Sequence, residues 1–212
     1  MSKLVVFGAN GATGHAIVEQ ALRDGHHVRA AVRDPATFRP VLAELSPDLE
    51  VVRGNVLDHE EVRAALSGQD AVISAIGPSG SRSGGLYSGS ARHFVTAMTE
   101  EGVDRVVVLS SSGVRHDDPH HPLWYRAVAR TLMRELYGDM RAMEHVLEGS
   151  LLNWTVVRPS RIVDAPATGN YRVGDAENPE GGTAINRDDL ARFVVRATIE
   201  DRWSRRRPTL AH

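Results

Sequence analysis

Three regularly spaced glycines near the start of the chain constrain its fold more than any other feature. The stretch Gly8-Ala9-Asn10-Gly11-Ala12-Thr13-Gly14 follows the short apolar run 3–7 and opens a helical pattern of apolar residues. The first glycine permits a tight turn, the second lets the backbone approach a diphosphate, and the third lets helix and strand pack closely. The helix start then offers N–H groups to the phosphates. We therefore predict a dinucleotide site that includes Gly8, Asn10, Gly11, Ala12, Thr13 and Gly14.

Strand-like and helix-like segments alternate along the rest of the chain, as they do in a doubly wound parallel sheet. Further strands are predicted at 28–32, 49–52, 71–76, 105–109 and 154–157, with helices at 91–98 and from Asp188 or Asp189 onward. The predicted fold class is α/β, a doubly wound and mainly parallel Rossmann-type sheet with a small C-terminal substrate-side region. Residues 1–212 are expected to form a single NAD(P)-binding domain, with substrate-side elements at about 110–140 and 160–186.

The end of the second strand bears on the choice between NAD(H) and NADP(H). An acidic residue at this place accepts a hydrogen bond from the ribose 2′-hydroxyl, whereas an arginine favours a 2′-phosphate. The chain carries Val32-Arg33-Asp34-Pro35. Asp34 before a proline is typical of a helix cap, which turns its carboxylate toward the backbone. Arg33 therefore favours NADP(H) over NAD(H), although a solvated surface charge is the alternative role for it.

Two later strand ends are expected beside the same ligand, because ligands of open α/β sheets lie at the carboxyl ends of the strands. Asn55, Val56 and Leu57 follow the third strand, where the adenine edge is expected. Ala75, Ile76 and Gly77 end the fourth strand, beside the phosphates and the nicotinamide ribose.

The whole order of motifs resembles the biliverdin-IXβ reductase and flavin reductase group of atypical short-chain dehydrogenase/reductase proteins. The matching stretches are GANGATG, VRDP at 32–35, GNVLD at 54–58, GQDAVI at 68–73, GVDRVVVLSS at 102–111, MEHVL at 143–147, RPSRIVDAP at 158–166, TGNY at 168–171 and DDLARFV at 188–194. The resemblance covers nearly the whole chain, and the later stretches are the more specific ones. It implies hydride transfer from NAD(P)H to a planar acceptor such as a flavin or a tetrapyrrole.

The resemblance also assigns residues around the nicotinamide. Ser110 and Ser111 match the end of the fifth strand, and Ser111 is expected to donate a hydrogen bond to the carboxamide or the acceptor, or else to cap a local turn. The loop beside the nicotinamide is matched by Pro159, Ser160, Arg161 and Ile162. Ser111 and Arg161 are the candidate catalytic residues. Arg161 stands where some reductases of this group have histidine, and the segment 110–140 is longer than in the animal enzymes.

A general acid of the usual kind is missing from the sequence. Many short-chain dehydrogenases pair a tyrosine with a lysine four residues later, but Lys3 is the only lysine of this chain. Tyr137 with Arg141 is the nearest imitation, and Tyr125 has no basic residue at that spacing; both tyrosines are expected in structural roles. Flavins, quinones and tetrapyrroles suit such a site, because solvent can protonate them after hydride transfer while the protein only orients them.

Several other functions remain as alternatives or are disfavoured. A non-catalytic NADP(H)-sensing regulator fits the missing acid equally well, and a sugar-nucleotide epimerase or dehydratase is a third possibility. A net charge of −2 and the absence of cysteine and of a long apolar run argue against nucleic acid, membrane and thiolate-metal partners. Histidines and aspartates at 116–121 are expected in a solvated loop without a metal, and Arg205–Arg207 in a solvated tail. We expect a cytoplasmic monomer or small homo-oligomer.

Overall fold

The computed structural model describes residues 1–39, 46–80 and 82–212. In these ranges eight strands form one sheet in the order β3-β2-β1-β4-β5-β6-β10-β8, and a separate pair joins β7 to β9. Strands β1 to β6 and β10 run parallel, and β8 pairs antiparallel with β10 at the edge. The strands are β1 (Lys3–Phe7), β2 (His27–Val32), β3 (Leu49–Arg53), β4 (Ala71–Ser74), β5 (Arg105–Leu109), β6 (Asn153–Pro159), β7 (Arg161–Val163), β8 (Arg172–Asp175), β9 (Ala184–Asn186) and β10 (Pro208–Ala211). The predicted α/β Rossmann-type fold is confirmed.

Helices cover both faces of this sheet. They are α1 (Ala12–Arg23), α2 (His59–Leu66), α3 (Leu86–Glu101), α4 (Leu123–Arg130), α5 (Arg134–Glu148) and α6 (Arg187–Ile199). Apolar side chains of α2, α3 and α5 form one core layer, and those of α1 and α6 form the other. Within the described residues, every helix is too short or too polar to cross a bilayer.

Strand β1 shows why the chain forms two core layers. Its side chains alternate between faces, so that Val5 and Phe7 pack into the layer of α3 while Leu4 and Val6 pack into the layer of α1 and α6. All four side chains are fully buried. A continuous apolar run of this kind is typical of a central parallel strand covered on both sides.

Four element predictions needed correction. Strand β4 ends at Ser74 instead of residue 76, and α3 begins at Leu86 and ends at Glu101 instead of spanning 91–98. The region 160–186, predicted as mostly loop, contains β7, β8 and β9, whose three or four residues are too few to show a period-two pattern. Helix α6 starts one residue earlier than predicted, with Asn186 as its N-cap.

The C-terminal segment is a fifth, partial correction. Arg205 and Arg206 are exposed, as a solvated tail requires, but Arg207 is half-buried and the next residues form the buried strand β10, which pairs with β6. The side chain of Arg207 lies 4.9 Å from the ring centre of Trp154 and forms ion pairs with Glu144 and Glu148. An arginine can pack its stem and planar head on an aromatic ring, so a basic run does not by itself indicate a solvated segment.

Candidate functional site

A cleft of about 1160 Å³ lies across the carboxyl ends of strands β1 to β6. Its walls also include residues 77–79 and 82–83 after β4, and side chains from α3, α5 and α6. Strands β2 and β3 follow β1 on one side of the sheet, whereas β4, β5 and β6 follow on the other side. The strand order therefore reverses between β1 and β4. Ligands of doubly wound sheets bind at such a point, because the connections there diverge and leave a crevice.

The three glycines of the turn after β1 meet different surroundings. Gly8 has φ +76°, and a Cβ on it would lie 2.6 Å from the Ala75 carbonyl oxygen. A Cβ on Gly14 would lie 2.1 Å from the carbonyl oxygen of Gly8. At Gly11, in contrast, the only neighbour that an added Cβ meets within 4 Å among residues 1–39, 46–80 and 82–212 is the Gly8 oxygen at 3.3 Å. Gly8 and Gly14 therefore permit close packing, whereas Gly11 keeps the cleft side of the turn open.

The N-terminus of α1 leaves donors available at this turn. Gly11 is the N-cap and gives no side-chain cap, and the first turn of the helix carries no acidic residue. In an α-helix, the N–H groups of the first turn have no carbonyl within the helix to which they can donate. Together with the helix dipole they form a site for an anionic group such as a diphosphate. The residues present thus fit the dinucleotide that the sequence predicts.

The turn after β2 separates the roles of its two charged residues. The Asp34 carboxylate accepts a hydrogen bond of 3.1 Å from the Ala36 N–H and caps the 3-10 turn Pro35–Thr37, as its position before proline predicts. The Thr37 hydroxyl donates to the Asp34 carbonyl oxygen and accepts from the Asn10 amide, so that this turn is tied to the glycine turn. The side chain of Arg33 is exposed and lines the cleft.

The segments that follow β3 and β4 both lie along the cleft. Asn55, Val56 and Leu57 line the cleft, and Asn55 accepts a hydrogen bond from the Leu57 N–H, which holds this turn in shape. Ala75, Ile76 and Gly77 line the cleft on the other side of β1, and the Ala75 N–H donates to the Phe7 carbonyl oxygen.

The two serines after β5 have separate structural partners. Ser110 lines the cleft, but its hydroxyl donates a 2.7 Å hydrogen bond to the buried carboxylate of Glu144. Ser111 is not among the described residues that line the cleft. Its hydroxyl accepts a hydrogen bond from the Gly113 N–H and caps a short 3-10 turn. This arrangement corresponds to the capping alternative for Ser111.

Residues 159–162, at the end of β6 and just after it, also differ in whether they line the cleft. Pro159 and Ile162 line the cleft. Ser160 is buried and donates to the Asn178 side chain. Arg161 is exposed in β7, and it too is absent from the described lining of the cleft. The structure therefore brings neither candidate catalytic residue, Ser111 or Arg161, to the wall of the cleft.

The tyrosines considered for catalysis form a structural pair. The hydroxyls of Tyr125 and Tyr137 lie 3.0 Å apart, and burial together with this contact raises the pKa of Tyr125. The Arg141 guanidinium donates to the Val114 carbonyl oxygen at 2.9 Å instead of approaching Tyr137. Neither hydroxyl faces the cleft.

The loop at 116–121 is partly buried, whereas the sequence predicts a solvated loop. Asp118 is buried, and its carboxylate accepts hydrogen bonds from the backbone N–H groups of His120 and Asn178. His121 is also buried, with its ring nitrogen 3.2 Å from the Ser112 carbonyl oxygen. Asp118 thus ties the loop to Asn178, and His121 ties it to the turn after β5. A sequence pattern could not show the contact with Asn178, because that residue is distant in the chain.

Several residues that line the cleft lie outside the motifs that the sequence shows. Leu86, Tyr87 and Met140 form part of one wall, and Arg82 and Arg187 contribute cations. Tyr87 lies in the first turn of α3. The sequence pattern predicts this helix only from residue 91, so it gives no signal for Tyr87. Arg187 stands directly before the acidic pair that signalled the start of α6, but nothing local shows that it reaches the glycine turn.

Comparison with known proteins agrees with this geometry. Residues 8–201 match the NAD(P)H-binding family. An uncharacterized chloroplastic protein of Arabidopsis thaliana is 31% identical over 216 aligned positions, covering 95% of this chain and 74% of that protein. An uncharacterized sugar epimerase of Bacillus subtilis is 29% identical, covering 93% of this chain and 88% of that protein.

Solved structures have the same fold. A candidate NADH-flavin reductase of Streptococcus pneumoniae superposes with a TM-score of 0.78 at 27% identity, and each chain is covered completely. A short-chain dehydrogenase/reductase of Veillonella parvula in complex with NADP superposes with a TM-score of 0.82 at 16% identity, covering 100% of this chain and 94% of that one. The chain therefore belongs to the NAD(P)H-binding family, whose relatives and Rossmann-fold neighbours include NAD(P)H-dependent oxidoreductases.

Proposed function

We propose that this protein is an NADPH-dependent reductase that passes hydride to a flavin or a similar planar acceptor. The observation that carries the proposal is the division of the cleft into two ends. One end holds the open glycine turn, the free start of α1 and the exposed Arg33. The other end, toward the carboxyl ends of β4 to β6, is lined by apolar side chains such as Leu86, Met140 and Ile162 and by polar residues such as Ser110.

Arg33 is the residue that we assign to coenzyme choice. Its guanidinium can bind a 2′-phosphate through paired hydrogen bonds. Asp34 also lines the cleft, but one of its carboxylate oxygens accepts the Ala36 N–H, and we assign this side chain to the turn. The NADP bound to the Veillonella parvula neighbour and the NADH in the name of the Streptococcus pneumoniae neighbour leave the preference to be measured on this protein.

The acceptor end suits a flat ring system. Ile76, Pro78, Leu86, Met140 and Ile162 line it, and such side chains can hold a ring against the nicotinamide by shape and exclusion of water. When bound, NADPH supplies the hydride that reduces the acceptor, and solvent supplies the proton. The protein's own contribution is then orientation, which requires no tyrosine–lysine pair.

Tyr87 is the side chain that we assign to hydrogen bonding with the acceptor. It is 4% exposed, lines the cleft, and its hydroxyl lies 4.0 Å from the position of a Cβ on Gly77. Burial, with a smaller contribution from the negative charge of Asp139, raises the pKa of Tyr87 to about 12. The phenol therefore keeps its proton near neutral pH and can donate to a carbonyl oxygen or ring nitrogen of the acceptor.

Sugar epimerisation, the activity in the name of the Bacillus subtilis relative, is the weaker candidate. It requires reversible oxidation of an alcohol, which in this superfamily depends on the tyrosine–lysine pair. The sequence has one lysine, Lys3, and β1 begins with it. That residue lies at the opposite end of β1 from the glycine turn.

The direct test is steady-state oxidation of NADPH and NADH with FMN, FAD, riboflavin and a soluble quinone. We expect turnover with at least one acceptor and a preference for NADPH. Arg33→Gln should raise KM for NADPH by about 10- to 100-fold, the cost of losing a charged hydrogen bond, while KM for NADH stays unchanged. Arg92→Gln, an exposed arginine of α3 outside the cleft, is the control.

The outcomes separate the candidate functions. Tight binding of NADP⁺ and NADPH without turnover on any acceptor would support a non-catalytic sensor and contradict the reductase. Equal loss for NADPH and NADH in Arg33→Gln would contradict its role in coenzyme choice. Absence of binding by the wild type would contradict the proposed function altogether.

A further inference from the structure

Arg187 joins the glycine turn to a distant part of the chain. It is the first residue of α6, and its side chain lines the cleft. One terminal nitrogen donates a 2.7 Å hydrogen bond to the Thr13 hydroxyl, in the first turn of α1. The Nε atom donates a 2.7 Å hydrogen bond to the Asp164 carboxylate. Residues 174 positions apart thus meet at the site of the predicted diphosphate.

The charge of Arg187 is poorly matched to its protein surroundings. A cation at the start of a helix is disfavoured by the helix dipole, and Arg187 begins α6 while its head contacts the start of α1. Asp164 is its ion-pair partner, but that carboxylate is 82% exposed and is therefore screened by water. The nearby Asp189 carboxylate is occupied by N–H groups of Thr168 and Gly169.

The guanidinium also retains hydrogen-bonding capacity. Its contacts with Thr13 and Asp164 use two N–H donors, and within the described ranges the others meet no protein acceptor. The planar fork of an arginine is suited to paired hydrogen bonds with phosphate oxygens. Because the guanidinium bonds to Thr13 and both residues line the cleft, its remaining donors lie close to the start of α1.

We infer that Arg187 is a ligand of the coenzyme diphosphate, acting with the backbone N–H groups at the start of α1. The inference rests on the proposed function and extends it. Arg33 reads the 2′-phosphate at the adenosine end, whereas Arg187 neutralises the diphosphate that NAD(H) and NADP(H) share. Coenzyme binding then links α1 to α6 through two phosphates and one guanidinium.

The two arginines predict different binding patterns, which calorimetry on the full chain can separate. Arg187→Gln should weaken NADP⁺, NAD⁺ and ADP-ribose by about 10- to 100-fold each, since each loses a charged hydrogen bond. The ratio of NADP⁺ to NAD⁺ affinity should stay as in the wild type. Binding of adenosine 2′-monophosphate, which has no diphosphate, should be unchanged in Arg187→Gln and weakened in Arg33→Gln.

Asp164→Asn is the matched control, because it removes the ion-pair partner and leaves the guanidinium. We expect it to bind the dinucleotides at least as tightly as the wild type. If Arg187 only braced the 164 segment against α1, Asp164→Asn would reproduce the loss seen in Arg187→Gln, and that result would overturn the inference. Wild-type affinity for the dinucleotides in Arg187→Gln would overturn it as well.

Two further comparisons cover the other outcomes. Should Arg187→Gln lower the midpoint of thermal unfolding, Arg187→Lys keeps the charge and should retain most of the affinity; equal losses in both variants would assign the effect to bracing. A wild type that binds none of the dinucleotides would refute the proposed function itself. A wild type that binds them, with an unaffected Arg187→Gln, would refute only the role of Arg187.

Discussion

At the scale of single residues, the glycine turn separates what the fold needs from what the ligand needs. Gly8 and Gly14 are pressed against backbone atoms of the protein, so any side chain there displaces the main chain. Gly11 meets one backbone oxygen and otherwise open cleft. A methyl group at Gly11 would therefore occupy space that we assign to the diphosphate.

Alanine at Gly11 should weaken coenzyme binding, whereas alanine at Gly14 should destabilise the fold. Gly11→Ala should keep the midpoint of thermal unfolding within a few degrees of the wild type and lower NADPH affinity at least about 10-fold, about 1.4 kcal/mol. Gly14→Ala should lower the free energy of unfolding by about 1–3 kcal/mol, as overpacking does. Thermal scans and calorimetry measure the two quantities, and a destabilised Gly11→Ala that binds normally would refute this division.

Tyr87 supports a second prediction at the same scale. Tyr87→Phe should lower kcat with the flavin acceptor by about 10-fold, because one orienting hydrogen bond is lost, while NADPH affinity is unchanged. The measurement is stopped-flow hydride transfer together with an NADPH titration. Tyr171→Phe, on the opposite side of the sheet against Phe193, is the control and should keep the wild-type rate. Equal rates for Tyr87→Phe and wild type would exclude the assigned contact.

Residues within continuous motifs were predictable, and residues brought in from elsewhere were not. The cap formed by Asp34 follows from a local rule, since aspartate before proline favours a turn. Thr13 and Arg187 meet only because α1 and α6 lie side by side. One sequence contains no local signal for such a meeting.

At the scale of elements, α6 anchors the segment that follows β7. Its Asp189 side chain is fully buried and accepts hydrogen bonds from the N–H groups of Thr168 and Gly169 and from the Thr168 hydroxyl. Burial alone would raise the pKa of the Asp189 carboxyl, but these hydrogen bonds outweigh it and hold the pKa below its usual range. The folded protein therefore stabilises the ionised form of the Asp189 carboxyl relative to the unfolded chain.

The sign of this shift predicts how stability depends on pH. A carboxyl with a depressed folded pKa stabilises the fold above its unfolded pKa of about 3.9, and this contribution is lost as pH falls through the folded value. Asp189→Asn should lower the free energy of unfolding by about 1–3 kcal/mol near neutral pH. The gap between variant and wild type should narrow below about pH 4. Urea titrations across that range measure it, and a gap that stays constant would contradict the prediction.

At the scale of the whole molecule, the sequence predicted the parallel core and missed its far edge. Strands β1 to β6 alternate with helices, so the pattern of local segments indicates the sheet. Strand β10 is four residues long and follows three arginines, and its partner β6 lies about fifty residues earlier. That residues 1–212 form a single domain stays a prediction.

Leu210 of β10 provides the test of that edge. Its side chain is fully buried in the layer of α1 and α6, so Leu210→Ala should lower the free energy of unfolding by about 2–5 kcal/mol. Leu151→Ala is the matched control, since that side chain is 97% exposed, and should change stability by less than about 0.5 kcal/mol. Denaturant unfolding compares the two, and equal effects would mean that β10 does not complete the core.

The packing of α1 against α6 has a consequence for synthesis of the protein. The apolar face of α1, with Ile17 and Val18, is buried together with Leu190 and Val194 of the last helix. A chain emerging from the ribosome therefore carries this face without its α6 cover until residues 187–199 have also been translated. During that interval the exposed apolar face of α1 is a site for aggregation or for chaperone binding.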